Sequence, residues 1–170
     1  MVKKKIREIV RVNQAGELGA IQIYKGQLAV LRNKPISKEI IAMLKQEERH
    51  YQTFSNLLTE HNIRPTFFYP IWKVGAYGLG VFTAMLGKEA TMACTEAVEE
   101  VIVQHYEKQS KYLKKNKNNL YKITSKFAKE EKEHMDIANK LGTGKGLKFR
   151  MLKSGIKSIS KIAIKVAKKI

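Results

Sequence analysis

Two short segments of the chain place a glutamate and a histidine three residues apart, Glu47 with His50 and Glu131 with His134. Residues three apart on a helix project from the same face about one turn from each other, which is a common spacing for two ligands of one metal ion. A single pair of this kind arises by chance in many helical chains. Two pairs in one chain are harder to attribute to chance, and they suggest a metal site.

Each pair is preceded by a further glutamate at a similar distance. Glu17 lies 30 positions before Glu47, and Glu99 lies 32 positions before Glu131. In antiparallel helices joined by short turns, residues equally far from the turn lie at the same height. The spacing therefore predicts one arrangement used twice, with all of these groups near one level of a four-helix bundle.

A set of four carboxylates and two imidazoles at one level is typical of a site for two metal ions in a helix bundle. Four glutamates balance the charge of two ferrous ions, so that the buried site is close to neutral. The two imidazoles, one for each ion, leave open positions for oxygen and substrate. Iron is the metal expected for this set, and the same ligands also accept manganese.

Two of the proposed ligands are ambiguous by periodicity alone. Glu17 sits among apolar residues of its helix, yet it could equally be a solvated charge, and the flanking Gly16 and Gly19 suggest close approach to another element. In the third long helix, Glu96, Glu99 and Glu100 compete for the inward position, and the apolar pattern does not choose between them.

The elements that must position these groups follow from the apolar periodicity. The 170 residues suit one domain, 1–170, and the three prolines all lie at or before position 70. We expect an all-α fold, a four-helix bundle with an extra apolar segment between helices two and three and a C-terminal basic amphipathic helix. The predicted helices cover about 3–32, 37–61, 88–115 and 120–141, with the apolar segment at 71–86 and the last helix at 147–170. Ser37 is expected to cap the second helix.

The composition is strongly basic, with 33 lysines and arginines against 15 acidic residues and a net charge of +18. Such an excess suggests a polyanionic partner, although a lysine-rich genome would produce part of it. The single cysteine, Cys94, excludes an intrachain disulfide and suits a reducing compartment. The N-terminal segment has basic residues but no apolar run of signal-peptide length, so no export signal is expected.

Two segments suggest contact with a membrane surface. The apolar segment at 71–86 is shorter than the roughly 20 residues needed to span a bilayer. It could be a core helix, but we favour an interfacial position with Tyr69, Trp72 and Tyr77 as anchors. The last helix places isoleucines on one face and lysines on the rest, so it could dock on the bundle or lie on anionic lipid.

Several segments together resemble a known family, the demethoxyubiquinone hydroxylases of ubiquinone biosynthesis. The resemblance runs over nearly the whole chain, and its motifs occur in the same order. The matching segments are Gln14-Ala-Gly-Glu-Leu-Gly-Ala20, Gln46-Glu-Glu-Arg-His50, Gly87-Lys-Glu-Ala90, Ala93-Cys-Thr-Glu-Ala-Val-Glu99 and Glu130-Glu-Lys-Glu-His134.

The resemblance implies a ferritin-like fold and assigns the ligands position by position. By it, the ligand of the third long helix is Glu99, and Glu96 lies outside the pattern. His105 and Tyr106 match a pair that the family keeps near the metals, where they could orient ligands or deliver electrons and protons. Family members often carry a tyrosine and acidic residues near the C-terminus, where this chain has Lys165 and Lys169. The implied di-iron ligands are Glu17, Glu47, His50, Glu99, Glu131 and His134, with Glu47 and Glu131 shared between the metals.

The resemblance also implies a reaction, partners and a location. The expected reaction is hydroxylation of a polyprenylated methoxy-methyl-benzoquinol, using O2, two iron ions and an external reductant for which NADH is one candidate. The expected partners are this substrate, an anionic membrane surface and a lipid-presenting protein of the same pathway, with no nucleic acid. The location would be the cytoplasmic side of the cell membrane, or the matrix side of the inner membrane in a mitochondrion.

Two alternatives remain open from the residues themselves. A ferritin-like iron oxidase or a peroxide-handling protein would use the same metals without needing the apolar segment or the basic last helix. A non-enzymatic basic helical protein that binds membrane or nucleic acid would need no metal, but no recognisable nucleic-acid module supports it.

Overall fold

The computed structural model describes residues 2–168, except for the side chain of Tyr69. This part of the chain forms six α-helices and no strand, which confirms the all-α prediction. Lys169 and Ile170, which we assigned to the last helix, and the side chain of Tyr69, which we assigned as an anchor, lie outside the described residues. The helices are α1 (Val2–Leu31), α2 (Ser37–Glu60), α3 (Tyr69–Met85), α4 (Lys88–Lys115), α5 (Leu120–Leu141) and α6 (Leu147–Ala167).

Two antiparallel hairpins form the body of the fold, α1 with α2 and α4 with α5, and α1 also contacts α4. The turns between the helices use residues with positive φ, such as Asn62 at 50° and Lys117 at 52°. The expected cap at Ser37 is wrong. Ser37 is the first helical residue, it follows Ile36, and no side chain caps this end of the helix.

The helix α3 packs closely against α1 at a crossing of two glycines. A Cβ atom added to Gly26 would collide with the carbonyl oxygen of Tyr77, and one added to Gly80 would collide with the carbonyl oxygen of Ile23. Only glycine permits this approach of the two backbones. The glycines that we expected to serve close approach, Gly16 and Gly19, have open space where their side chains would be.

The helix α6 lies across α4 and is held there by two ion pairs. The ammonium group of Lys153 lies 2.9 Å from Glu96, and that of Lys157 lies 2.5 Å from Glu100. Glu96 and Glu100 thus face α6. Glu99 is 1% exposed and is the glutamate of this turn that points into the bundle. The expected apolar face of α6 is only partly used, since Ile156 is buried while Ile159 and Ile162 are exposed.

The outer face of α3 also exposes large apolar side chains. Ile71, Val74, Phe82 and Met85 are each at least half exposed, whereas Ala84 on the other face is buried. Among the described residues, none of the helices has the length and hydrophobicity required to cross a bilayer. The segment is thus a helix with one face on the bundle and one face available to a partner.

Candidate metal centre

All six predicted ligands meet in the interior between the two hairpins, and none is more than 1% exposed. Their nitrogen and oxygen atoms form two overlapping groups, and within each group the ligand atoms all lie within 4.8 Å of one another. Two glutamates belong to both groups, as expected for ligands shared between two ions. The groups are Glu17, Glu47, His50 and Glu131, and Glu47, Glu99, Glu131 and His134.

The histidines turn the same ring atom toward the glutamates. The Nδ1 atom of His50 lies 3.0 Å from Glu131, and the Nδ1 atom of His134 lies 3.0 Å from Glu47 and 3.2 Å from Glu131. Each histidine therefore contacts a glutamate from the opposite hairpin. This crossing brings ligands that are about 80 residues apart in sequence into one site.

Several ligand atoms of this site are buried without a hydrogen-bond partner outside the ligand group. Such atoms are costly to bury unless another group compensates them, and a bound cation would do so. The oxygen and nitrogen donor set also suits a divalent transition metal. The residues therefore fit a metal centre. These atoms are Glu17 Oε2, both carboxylate oxygens of Glu47, Glu99 Oε2, Glu131 Oε2 and His134 Nδ1, and His134 Nδ1 faces only the ligand oxygens of Glu47 and Glu131.

The ligand side chains differ in how tightly they bind protons. Burial, together with the negative charge of neighbouring glutamates, raises the pKa of Glu47 and of Glu99 well above the usual value. Burial acts in the same direction on Glu131, but hydrogen bonds to His134 and His50 outweigh it and lower the pKa of Glu131 to about 2. Burial alone would lower the pKa of His50, but Glu131 and Glu17 raise it to about 10.

We expect the metal-free protein to lose stability as the pH rises from 5.5 to 8. The carboxyl groups of Glu47 and Glu99 and the imidazole of His50 all bind protons more tightly when folded, so their stabilising effect decreases as pH rises toward the folded pKa values. The low pKa of Glu131 adds no slope here, because its effect is lost only as the pH falls from the unfolded value toward 2. The pKa of His105, lowered to about 4, opposes the trend only below its usual value of 6.5, where the two glutamates outweigh it. Metal binding requires the deprotonated ligands. The increase in Tm caused by Mn²⁺ should therefore be larger at pH 8.

Thermal unfolding followed by circular dichroism, with and without Mn²⁺ at the two pH values, tests this expectation. Glu133→Gln removes an exposed carboxyl group from the same helix as Glu131. Because Glu133 is not a proposed ligand, this variant should behave as the wild type under all four conditions. An increase in Tm that is equal at both pH values would contradict the expectation that the ligands must lose protons before they bind the ion.

Two buried tyrosines hold the glutamates that are not shared. The hydroxyl of Tyr24 donates a hydrogen bond to Glu99 Oε1 at 2.6 Å, and the hydroxyl of Tyr106 donates one to Glu17 Oε1. Burial and the nearby glutamates raise the pKa of both tyrosines, which keeps the hydroxyls protonated as donors. Sequence reasoning missed Tyr24, although it stands seven positions after Glu17, as Tyr106 stands seven after Glu99.

The outer nitrogens of the histidines have partners that we also did not foresee. The Nε2 atom of His50 lies 2.7 Å from Glu130 Oε2, and that of His134 lies 3.4 Å from Gln46 Oε1. Glu130 and Gln46 each directly precede a shared glutamate in the sequence. Such outer contacts orient a histidine ligand and fix its tautomer.

The structure does not bring His105 into the ligand group. Its Nε2 atom lies 2.7 Å from Gln109, which in turn exchanges two hydrogen bonds of 2.8 Å with Asn13. Burial and the charges of Lys168 and Lys5 lower the pKa of His105 to about 4. Of the predicted pair, only Tyr106 contacts a proposed ligand.

An apolar cavity of about 290 Å³ lies between α1, α3, α4 and α6. Gly16 and Gly19 line it next to Glu17, and Val98 lines it next to Glu99. Trp72 and Leu79 from α3 and Ile159 from α6 line other parts of its wall. The cavity therefore adjoins the segments of α1 and α4 that carry Glu17 and Glu99, but none of the six ligands lines it.

Comparison with known proteins gives consistent matches over the whole of this architecture. The family described as "Ubiquinone biosynthesis protein COQ7" matches residues 4–167. A 3-demethoxyubiquinol 3-hydroxylase of Rhodospirillum rubrum is 41% identical over 166 residues, covering 97% of this chain and 78% of the relative. An NADPH-dependent 3-demethoxyubiquinone 3-hydroxylase, mitochondrial, of Caenorhabditis elegans is 43% identical over 169 residues, covering 97% and 90%. A 5-demethoxyubiquinone hydroxylase, mitochondrial, of Saccharomyces cerevisiae is 38% identical, covering 95% and 77%.

Proposed function

Because the chain belongs to the COQ7 family of ubiquinone biosynthesis proteins, we propose that it hydroxylates the ring of a polyprenylated 6-methoxy-3-methyl-1,4-benzoquinol, demethoxyubiquinol, with O2. Relatives at about 40% identity are named as hydroxylases of demethoxyubiquinol or demethoxyubiquinone. The apolar cavity favours this activity over iron oxidation or peroxide handling, which need no apolar substrate site. We also propose that the sequence, 1–170, corresponds to a single ferritin-like domain.

The observation that carries the proposal is the buried group of four glutamates and two histidines with unpaired ligand atoms. This group would hold two iron ions through Glu17, Glu47, His50, Glu99, Glu131 and His134, of which Glu47 and Glu131 belong to both ligand groups. Bound iron would supply the reducing electrons that activate O2. The four carboxylates neutralise the two ions, and the burial of the site excludes bulk water from the reacting groups.

The cavity accounts for how an apolar substrate could approach these ligands. A benzoquinol ring would find room against Gly16 and Gly19, which neighbour Glu17 in the sequence, because these positions carry no side chain that would fill the space. The isoprenoid tail would extend between α3 and α6, where Trp72, Leu79 and Ile159 provide apolar contacts. Placement of the ring and orientation of the ligands are thus the parts of the reaction that this chain's residues perform.

The reductant, the membrane and the partner protein belong to the same proposal. Several relatives are named as NADPH-dependent, so we propose a nicotinamide cofactor, NADPH or NADH, as the electron source. The substrate is dissolved in lipid, and the enzyme lies on the anionic surface of a membrane on its cytoplasmic side, or on the matrix side in a mitochondrion. A lipid-presenting protein of the pathway is a further proposed partner, and nucleic acid is not one.

The direct test is expression of the chain in a strain that lacks this hydroxylation step, followed by mass analysis of the extracted quinones. The expected result is a product heavier by one oxygen atom than the accumulated demethoxy compound, and its later methylated derivative. A variant with Glu47→Ala, expressed to the same level, should leave the demethoxy compound unchanged. Accumulation of the demethoxy compound with an iron-loaded wild-type chain would contradict the proposed reaction.

Membrane binding makes a separate prediction about the exposed apolar face of α3. Val74→Glu combined with Phe82→Glu is expected to reduce co-sedimentation with anionic liposomes by roughly tenfold or more. The double variant loses apolar contact with the lipid and places two carboxylates at its surface, and a loss of about 1.4 kcal/mol in binding free energy already corresponds to tenfold. Both side chains are more than half exposed, so the fold should tolerate the change. Ile41→Glu, at an exposed position on α2, is the matched control. Equal binding by all three proteins would contradict the assigned surface.

A further inference from the structure

The two halves of the bundle repeat each other beyond the metal ligands. Tyr24 stands seven positions after Glu17, and Tyr106 stands seven positions after Glu99. Each tyrosine bonds the glutamate of the other half rather than that of its own helix. The equivalent positions therefore make equivalent contacts across the interface between α1 and α4.

Each of these hydrogen bonds gives the two oxygens of one carboxylate different surroundings. Tyr24 occupies Glu99 Oε1, and Glu99 Oε2 is buried without a hydrogen-bond partner. Tyr106 occupies Glu17 Oε1, and Glu17 Oε2 likewise has no hydrogen-bond partner and lies 3.6 Å from the Nδ1 atom of His50. In both cases one oxygen is engaged by a hydroxyl and the other remains available to the group of ligand atoms.

This division has a chemical consequence for an ion at the site. A carboxylate whose second oxygen already accepts a strong hydrogen bond tends to bind a cation through one oxygen only, because binding through both would break that bond. Binding through one oxygen leaves a coordination position open on each ion. Contacts of this kind also orient the ligand before the ion arrives.

We propose that Tyr24 is a positioning residue that restricts Glu99 to binding a metal ion through one oxygen, as the counterpart of Tyr106 on Glu17. This inference rests on the proposed dinuclear centre. It concerns the second ligand group, Glu47, Glu99, Glu131 and His134, whereas Tyr106 acts on the first. The two tyrosines therefore affect different ions.

The test compares Tyr24→Phe, Tyr106→Phe and the double variant by titration with Co²⁺, using calorimetry and the visible absorption of the bound ion. The wild type should bind two ions. Tyr24→Phe should weaken one of them by roughly 10- to 100-fold and change the absorption of that ion, since its coordination changes. Tyr106→Phe should change the other component, and the double variant should show both changes. Tyr121→Phe, on a partly exposed side chain of α5, should match the wild type.

The outcomes separate this inference from the proposed function. If the wild type binds two ions and Tyr24→Phe gives the same isotherm and spectrum, the assignment of Tyr24 is overturned while the metal centre stands. If Tyr24→Phe loses helical circular dichroism, the hydroxyl serves the fold and the assignment is also overturned. If the wild type binds no Co²⁺, both the metal centre and the inference fail.

Discussion

Replacement of Glu131 by alanine is expected to abolish binding of both metal ions and the hydroxylation that depends on them, while the helical circular dichroism persists. Glu131 belongs to both ligand groups, and it lies 3.0 Å from His50 and 3.2 Å from His134. The loss of a partner outside the ligands commonly costs 10- to 100-fold in metal affinity or activity, so the loss of a shared ligand should cost on the order of 1000-fold or more. The helix should survive, because alanine favours it.

Metal content after anaerobic loading with Fe²⁺, measured beside product formation, tests this result. Glu133→Ala is the matched control, since Glu133 is exposed two positions further along the same helix, and it should retain two ions. Full activity of Glu131→Ala would show that the proposed ligand set is wrong. Loss of activity with two ions still bound would assign Glu131 to the reaction rather than to metal binding.

The second large effect is expected at the crossing of α1 and α3. Gly80→Ala should destabilise the protein by about 1–3 kcal/mol, because the added Cβ meets the backbone of Ile23, which no side-chain rotation can move. This is opposite to the usual effect, since alanine in place of glycine normally stabilises a helix by about 1 kcal/mol. For a chain of this length, the loss corresponds to a decrease in Tm of roughly 2–12 °C.

Gly78 provides a control on the same helix, two positions away. A Cβ at Gly78 would meet no other atom within 4 Å, so Gly78→Ala should raise the Tm or leave it unchanged. Thermal unfolding of the two variants in parallel separates the close approach from the general cost of glycine in helices. A Tm for Gly80→Ala that equals or exceeds that of Gly78→Ala would contradict the close packing of α1 on α3.

The helices and most of the candidate ligands could be predicted because local features determine them. Apolar periodicity marked each helix to within a few residues, and the paired Glu-x-x-His spacing with Glu17 and Glu99 before it marked the ligands. Periodicity did not choose Glu99 over its neighbours, because its two competitors form ion pairs with lysines of α6, and sequence patterns do not show which helix packs there. The resemblance to a family supplied that choice.

The remaining features depend on contacts between distant segments. Nothing near Gly80 in sequence indicates that the backbone of Ile23 will lie against it. Close approach was expected at Gly16 and Gly19 instead, because the sequence does not show which glycines face another helix. Tyr24 was not singled out from the sequence, since its role depends on Glu99, 75 positions away. A comparison of the two halves at equal offsets would have found it beside Tyr106.

Each hairpin depends on the other for the contacts that orient its metal ligands. In the first hairpin, the outer partner of His50 and the hydroxyl on Glu17 both come from the second hairpin, and the reverse holds for His134 and Glu99. Either hairpin alone would lack these partners, whereas the whole chain carries all six ligands and their partners in one polypeptide. Its metal occupancy should therefore not depend on protein concentration, as that of a site assembled from separate chains would.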